Sequence, residues 1–312
     1  MNPEPMRRRY RPLDGVLLFD KPLELSSNAA LQKVRHLFQA EKAGHTGTLD
    51  PLATGLLPIC FGEATKFSTA LLDADKSYRA TLQLGQKTTS GDAEGEVIET
   101  RPVNVTRAQI DSVLAGFLGE ISQLPPMHSA LKFQGKPLYE YIRKGETVER
   151  EARPVTIHKL LLERLEGTQL EIFVQCSKGT YVRTLAEDIG EALGCGAHLI
   201  ALRRTGIAHF DLRDALDLPG LQVMAADARD ARVLPIEVLM PGLPVLTLDG
   251  AAVKRLAQGQ RLALENPPAS GKVVLHGPQG FVGTGILEGR RLSPERLMSR
   301  VAKQAAHPEN PA

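Results

Sequence analysis

Two stretches in which an apolar residue recurs at every second position constrain the fold of this chain most strongly. They are residues 78–84 and residues 170–176. Because side chains alternate between the two faces of a β-strand, this period predicts strands with one buried face. Apolar residues at helical spacing follow over residues 182–193. Tyr181 and Arg183 are therefore predicted to lie at a strand-to-helix junction, where functional side chains are often presented.

Spacing and capping residues predict the other elements. A strand is expected at residues 15–19, and Ser26-Ser27-Asn28 can cap a helix whose apolar residues follow up to Phe38. Helices are also predicted from Glu63 to Leu72 and from Thr106 to Phe117. The strands are separated by helices and long insertions without a regular βαβ rhythm, so the pattern indicates an α+β fold.

The chain divides into two predicted domains, in keeping with its 312 residues. The apolar pattern weakens from about residue 227 to residue 242, where prolines accumulate. We therefore expect a large domain over residues 10–235 and a small β-rich domain over residues 243–303. Within the large domain, residues 124–153 are rich in Pro, Gly and charge, which predicts a projecting insertion.

Composition narrows the classes of function. The three cysteines form no CxxC pair, the eight histidines form no HExxH motif, and no glycine-rich stretch completes a nucleotide-binding motif. We therefore expect neither a metal nor a cofactor. No stretch is apolar for long enough to span a bilayer, so a cytoplasmic protein is expected. The net charge is only +2, but MRRRYR and residues 132–164 are locally basic, which suits RNA contacts as well as a merely solvated surface.

One carboxylate, Asp50, lies among glycines, threonines and aliphatic residues in the segment GHTGTLDPLATGLLPIC. An Asp-Pro pair is typical of a surface turn, whereas a buried carboxylate requires a cation or hydrogen bonds. Arg183, Lys21 and Lys66 are the candidate cations. A guanidinium beside Asp50 would keep the carboxylate ionised and orient it as a nucleophile. The residues alone leave both interpretations open.

Several motifs in order along the chain together resemble the TruB family of tRNA pseudouridine synthases. They are DKP and SSN near the N-terminus, GHTGTLDPLATGLLPICFGEATKF, KSYRATLQLG, PPMHSALKFQGKPLYEYIRKGETVEREARPV and CSKGTYVRTLAEDIGEALGCGAHLIALRR. The segment FVGTGILEGRRLSPERL is similar to a PUA RNA-binding domain. The resemblance covers nearly the whole chain, which makes it far more specific than any single motif.

The resemblance implies both a fold and an activity. The fold is a catalytic domain built on a mixed, mainly antiparallel sheet with flanking helices and an RNA-binding insertion, followed by a small PUA domain. The activity is conversion of uridine 55 in the T-loop of tRNA to pseudouridine, without metal or cofactor. The expected partner is the T-arm of tRNA, and the expected state is a monomer with no protein partner.

Three catalytic residues are carried over from the same resemblance. Asp50 matches the catalytic aspartate, Tyr78 matches the tyrosine that stacks on the target uracil, and Arg183 matches the arginine that pairs with the aspartate. Without the resemblance, Tyr78 is equally well explained as a core residue of a strand and Arg183 as a helix cap.

Four further residues are expected to bind the substrate. Tyr181 matches a second active-site tyrosine, and His45 matches the histidine that fills the space left by the flipped base. Lys21 and Lys66 lie in family motifs and are expected to meet phosphate or to support the site. An isolated His45 would more often be an ordinary turn residue.

Two positions depart from the family pattern: Glu24 stands where glycine is common, and His128 where tyrosine is common. Both lie outside the catalytic set, so they concern loop conformation and rim contacts.

Two other functions must be weighed. A non-catalytic RNA-binding or RNA-folding protein would explain the basic insertion but gives no reason for Asp50 and Arg183. A glycosidase releasing free uracil would need a second carboxylate and an activated water, and no second acid stands out in the sequence.

Overall fold

The computed structural model describes residues 10–127, 131–137, 141, 145–146 and 148–301. Its strands, in chain order, are β1 (Gly15–Lys21), β2 (Ala43–His45), β3 (Ala53–Phe61), β4 (Lys76–Leu84), β5 (Gln86–Thr88), β6 (Val97–Thr100), β7 (Gly119–Gln123), β8 (Lys132–Phe133), β9 (Lys136–Pro137), β10 (Arg153–Glu166), β11 (Gln169–Cys176), β12 (Ala197–Ile207), β13 (Phe210–Asp211), β14 (Val245–Thr247), β15 (Leu262–Ala263), β16 (Gly271–Gly277), β17 (Gly280–Glu288) and β18 (Arg291–Leu297).

The α-helices of the described residues are α1 (Ser27–Leu37), α2 (Thr69–Asp73), α3 (Arg107–Gly116), α4 (Val182–Ala192), α5 (Leu218–Val223), α6 (Ala226–Asp230) and α7 (Gly250–Ala257). Side-chain caps define two helix starts, and the one at α1 lies in the segment predicted to cap that helix. The Ser26 side chain accepts from Ala29 N at α1, and Thr106 forms a capping box with Gln109 at α3.

Within the described residues, nine strands form the sheet of the large domain. Seven run in the order β1-β3-β12-β4-β11-β10-β7, with β2 paired to β3 and β13 paired to β12. Only β3 and β12 pair in parallel among these strands, and the other pairings are antiparallel. The predicted α+β class with a mixed, mainly antiparallel sheet is confirmed.

The two alternating stretches form β4 and β11, which pair along their whole length. Their buried residues face α3 and α4, so Ile110, Leu114, Leu185 and Ile189 pack on that side of the sheet. The predicted half-buried strands are therefore confirmed.

Strand β3 is buried on both faces. Leu57 and Ile59 pack with α1, while Leu56 and Cys60 belong to a separate apolar cluster. A strand of this kind contains a continuous apolar run rather than an alternating one. Packing on both faces therefore holds β3, the strand that follows Asp50, in place.

The predicted helix from Glu63 to Leu72 is wrong. The structure has a 3-10 helix at Gly62–Lys66 and then the short helix α2. Phe67 ends the 3-10 helix with a φ of −107° and a ψ of 2°, and its ring packs in the core, where its centroid lies 5.3 Å from that of Phe281. Packing against the C-terminal strands therefore overrides the local helical pattern.

The C-terminal part of the chain is rich in β-structure, as predicted. Its five described strands follow the order β14-β16-β17-β18-β15, and α7 packs against them. One apolar cluster joins this sheet to the large domain, since it includes Val16, Leu56 and Phe67 together with Val273 and Phe281. The segment between the domains, including Ile236 and Leu239, is buried in the same cluster.

The insertion predicted over residues 124–153 is described in part. It contains the paired strands β8 and β9, and the side chain of Arg150 donates to Pro125 O over 2.7 Å. His128 lies outside the described residues. In the described part of the chain, no helix has the length and apolar character needed to cross a bilayer.

Candidate active site

Asp50 lies in the connection between β2 and β3, and it is both a turn residue and a member of a charged pair. Ala53 N donates to Asp50 O over 3.0 Å, which closes the turn that the Asp-Pro pair predicts. The side chain is 48% exposed, and its Oδ2 lies 3.0 Å from Nη2 of Arg183. The carboxylate is thus held by a cation while one side remains open to a ligand.

The loop that carries Asp50 is fixed by the N-terminal end of α1. The buried hydroxyl of Ser27 accepts from Leu49 N at 2.7 Å and donates to Leu49 O at 2.9 Å. Glu24 N donates to Pro51 O at 2.9 Å, and Glu24 has a φ of 67°. A positive φ explains why glycine suits this position and means that glutamate is held there under strain.

Arg183 is the second residue of α4 and is nearly buried. Its Nη1 lies 3.2 Å from Oδ2 of Asp92, so the guanidinium bridges two carboxylates. The first turn of a helix disfavours a cation because of the helix dipole. The two carboxylates offset that cost and fix where the guanidinium lies relative to Asp50.

Asp92 was missed in the sequence, where its loop reads as an ordinary turn. Its side chain is only 3% exposed. Its Oδ1 accepts from Ser90 Oγ at 2.5 Å and from Glu94 N at 3.1 Å. Asp92 is the second acid of the site, but its carboxylate is paired with Arg183. It therefore does not resemble the free acid that activates a water in a glycosidase.

Tyr78 is a nearly buried residue of β4, and its cross-strand partner on β12 is Arg204. The Arg204 side chain lies close enough to the Tyr78 hydroxyl to affect its pKa, and it donates to Leu56 O at 2.7 Å and to Gly47 O at 3.2 Å. Burial raises the pKa of the Tyr78 hydroxyl, and Arg204 opposes that shift. No sequence motif singles out Arg204, yet this residue joins the Asp50 loop to the strand of Tyr78.

Gly55 makes the close approach of β3 and β12 possible. Its φ is +104°, and a Cβ atom there would lie 2.3 Å from Arg204 O. Only glycine accommodates both conditions.

A cavity of about 210 Å³ opens beside these side chains. Its lining consists of Thr48, Leu49, Asp50, Tyr78, Thr180, Tyr181, Val182, Arg183 and Leu202. The lining combines a carboxylate, a guanidinium, two phenol rings and aliphatic surface. Such a cavity can take a planar heterocycle against an aromatic or aliphatic wall while a charged pair faces the attached sugar.

The structure brings Asp50, Tyr78, Arg183 and Tyr181 together, as expected. Lys21 lies close beneath them and is fully buried, and its ammonium donates to Pro22 O at 2.9 Å and to Leu25 O at 2.5 Å. Burial lowers the pKa of Lys21 to about 8, although the Asp50 carboxylate opposes the shift. This position favours support of the site over contact with phosphate.

The other two predicted residues lie differently. His45 is at the end of β2, where burial and the nearby Arg204 lower its pKa. Lys66 lies between the domains, where its ammonium contacts Glu63 at 2.9 Å and Ser299 Oγ at 2.7 Å. Lys66 is not part of the cavity lining around Asp50. A role for Lys66 in phosphate binding stays a prediction.

Three family models match consecutive parts of the chain. Residues 35–182 match the TruB family pseudouridylate synthase N-terminal domain. Residues 183–241 match the tRNA pseudouridylate synthase B C-terminal domain, and residues 244–298 match the pseudouridine synthase II TruB C-terminal model.

Similar proteins span the same length. The chain is 52% identical to tRNA pseudouridine synthase B of Methylobacillus flagellatus over 299 residues, 95% of this chain and 99% of the relative. It is 54% identical to the protein of the same name from Burkholderia mallei over 305 residues, 96% of this chain and 98% of the relative.

Solved structures share the architecture. A chain of a Cbf5-Nop10-Gar1 complex superposes with a TM-score of 0.70 at 26% identity, covering 95% of this chain and 90% of that one. A chain of the archaeal box H/ACA sRNP Nop10-Cbf5 complex superposes with a TM-score of 0.67 at 24% identity, covering 95% and 92%, and shows the fold alone. With the site geometry, the consecutive family matches and relatives more than 50% identical over nearly its whole length, the chain belongs to the TruB family of pseudouridylate synthases.

Proposed function

We propose that this protein converts uridine 55 in the T-loop of tRNA to pseudouridine, with Asp50 as the catalytic carboxylate. The observation that carries the proposal is the pair of Asp50 and Arg183 at the open side of a cavity that also contains Tyr78. The names of the curated relatives support tRNA as the substrate.

The reaction is an isomerisation, so no atom is gained or lost overall. The N1–C1′ bond breaks, the uracil turns while bound, C5 bonds to C1′, the C5 proton leaves and N1 takes up a proton. Attack of a carboxylate on C1′, its addition to C6 and removal of the C2′ proton all require an oriented carboxylate next to the nucleotide. Arg183 orients Asp50 for any of these routes, and the cavity walls retain the detached base.

The target base must leave its stack before it can enter the cavity. Extrusion of a nucleotide costs a few kcal/mol, which stacking on an aromatic ring and hydrogen bonds to the base edge offset. Tyr78 and Tyr181 line the cavity and are suited to this role. We assign to His45 the filling of the vacated position in the T-loop.

The remaining contacts are expected along the phosphate backbone. The insertion over residues 124–153 carries Lys136, Arg143, Lys144, Arg150 and Arg153, and the PUA-like domain over residues 243–303 adds a second basic surface. Binding should therefore weaken as the salt concentration rises. We also propose that the protein acts as a monomer, without a protein partner. We place this activity in the cytoplasm.

Release of tritium from C5 of uridine tests the proposal. The purified chain is incubated with an unmodified tRNA transcript carrying tritium at C5, and the label in water is counted. Wild type should release about one label per tRNA, and Asp50→Asn should lower the rate at least about 100-fold, as expected when a group that transfers protons is lost. Asp111→Asn is the matched control, because Asp111 pairs with Arg107 in an exposed contact of 3.7 Å on α3.

Three outcomes contradict the proposal. Tight tRNA binding without tritium release by wild type would identify a binding or folding protein. Free uracil among the products would identify a glycosidase. A near-normal rate in Asp50→Asn would remove Asp50 from the chemistry.

A further inference from the structure

Gln123 is a buried amide that holds the backbone of an active-site residue. It is the last residue of β7, and it is 2% exposed. Its Oε1 accepts from Tyr181 N at 3.0 Å, and its Nε2 donates to Tyr181 O at 3.3 Å. One side chain thus satisfies both backbone polar groups of Tyr181.

Tyr181 is the residue at which α4 begins, and its own side chain makes no capping hydrogen bond. The carbonyl of Tyr181 also accepts from Leu185 N at 3.0 Å, which is the first hydrogen bond of the helix. A carboxamide is at once a donor and an acceptor, so glutamine can bind both backbone groups. Gln123 therefore fixes the place and direction in which α4 starts.

The start of α4 decides the geometry of the reacting groups. Tyr181 lines the cavity, and Arg183, two residues later, lies 3.0 Å from Asp50. A rotation of the first turn would move the tyrosine ring and the guanidinium together. A displacement of about 1 Å at a reacting group can lower a rate by about 100-fold.

Gln123 also stands at the base of the insertion. Its strand partner is Arg153 at the other end of the insertion, and Arg150 donates to Pro125 O across the same stem. The stem of the insertion and the start of α4 therefore share one anchoring residue.

We propose that Gln123 is a positioning residue of the reaction, which holds Tyr181 and Arg183 in place against Asp50 from the stem of the insertion. The inference rests on the proposed function, because it concerns the geometry of that same site. Gln123 itself does not line the cavity and has no part in the bond changes.

Replacing Gln123 by the similarly sized methionine tests the amide. Gln123→Met should lower the single-turnover rate of tritium release by about 10-fold to 100-fold, while the Kd for tRNA stays within about twofold of wild type. Gln83→Met is the matched control, because Gln83 donates to Leu84 O and to Thr168 Oγ1 at the far end of β4. It should leave the rate unchanged. A Gln123→Met rate within about twofold of wild type, measured per folded molecule, overturns the proposal.

Gln123→Glu decides the question without relying on an apolar variant that could fail to fold. The introduced carboxylate can accept from Tyr181 N, but it can donate to Tyr181 O only when it is protonated. The ratio of variant rate to wild-type rate should therefore rise toward one as the pH falls from about 8.5 to about 5.5. A ratio that is low and does not recover at low pH overturns the proposal.

The experiment separates this inference from the function on which it rests. Absence of tritium release from wild type would refute the function. A wild type that releases tritium, together with unaffected Gln123 variants, would refute the positioning role alone.

Discussion

Substitution of Asp92 by asparagine tests whether Arg183 needs both of its carboxylates. The change keeps the shape of the side chain but removes its charge. Oδ1 of Asp92 accepts from Glu94 N, and Oδ2 faces Nη1 of Arg183. Whichever way the new amide is oriented, its NH2 group therefore meets another donor.

The expected loss of stability can be worked out from this geometry. A hydrogen bond to a charged group contributes about 1.5–3 kcal/mol, and Arg183 keeps Asp50 as a partner. We therefore expect the free energy of unfolding to fall by about 2 kcal/mol. An unfolding entropy of about 2.1 cal/mol/K for each of the 312 residues converts this into a decrease of about 3 °C in Tm. The rate of tritium release should fall by about 10-fold to 100-fold, because the guanidinium loses the carboxylate that faces its Nη1.

Thermal unfolding followed by circular dichroism and single-turnover tritium release measure the two effects. Asp111→Asn is the control, since its exposed ion pair with Arg107 should contribute less than about 0.5 kcal/mol. If Asp92→Asn matches this control in both Tm and rate, Asp92 does not hold Arg183 and the reasoning fails.

Three further changes probe the loops and strands around the site. Gly55→Ala should lower the free energy of unfolding by at least about 3 kcal/mol, because the new Cβ would collide with Arg204 O and alanine disfavours the positive φ at this position. A denaturant midpoint close to that of wild type would contradict this prediction. Glu24→Gly should raise the free energy of unfolding by up to about 1 kcal/mol by relieving a left-handed glutamate, and a lower urea midpoint would contradict it. Lys21 has a pKa of about 8 in the folded protein, against an ordinary value of 10.5. Below pH 8 its buried charge therefore lowers the free energy of unfolding by the full amount, and this loss disappears as the pH rises to 10.5. The stability of wild type relative to Lys21→Met should therefore rise over that interval in urea unfolding, and a constant difference would contradict the assignment.

Local signals in the sequence were sufficient for elements with one buried face. The period of two predicted β4 and β11, and the capping segment Ser26-Ser27-Asn28 predicted the start of α1. The helix predicted from Thr106 to Phe117 is α3. Strand β12 was not predicted, because register shifts between Leu199 and Ala201 and between Arg204 and Gly206 break the alternation of its buried residues. Strand β10 is interrupted in the same way, between Ile157 and Lys159 and again between Leu162 and Arg164.

Residues of the candidate site were predicted when they lie in a family motif. They were missed when their role depends on a contact with a residue distant in the sequence. Asp50, Tyr78, Tyr181 and Arg183 were carried over from the family resemblance and meet in one cavity. Asp92 follows a serine and a glycine in a loop, where an aspartate is usually solvated, whereas the cation that it contacts, Arg183, lies on a helix distant in the sequence. No local pattern contains that information.

The apolar cluster shared by the two domains has a consequence for how an RNA substrate fits. Val16 and Phe67 of the large domain pack with Val273 and Phe281 of the C-terminal sheet, so bending between the domains would expose buried apolar surface to water. The C-terminal sheet therefore keeps a fixed orientation relative to the large domain. The distance between the C-terminal sheet and the cavity is therefore constant. An RNA helix that is too short or too long for this distance cannot contact both at once.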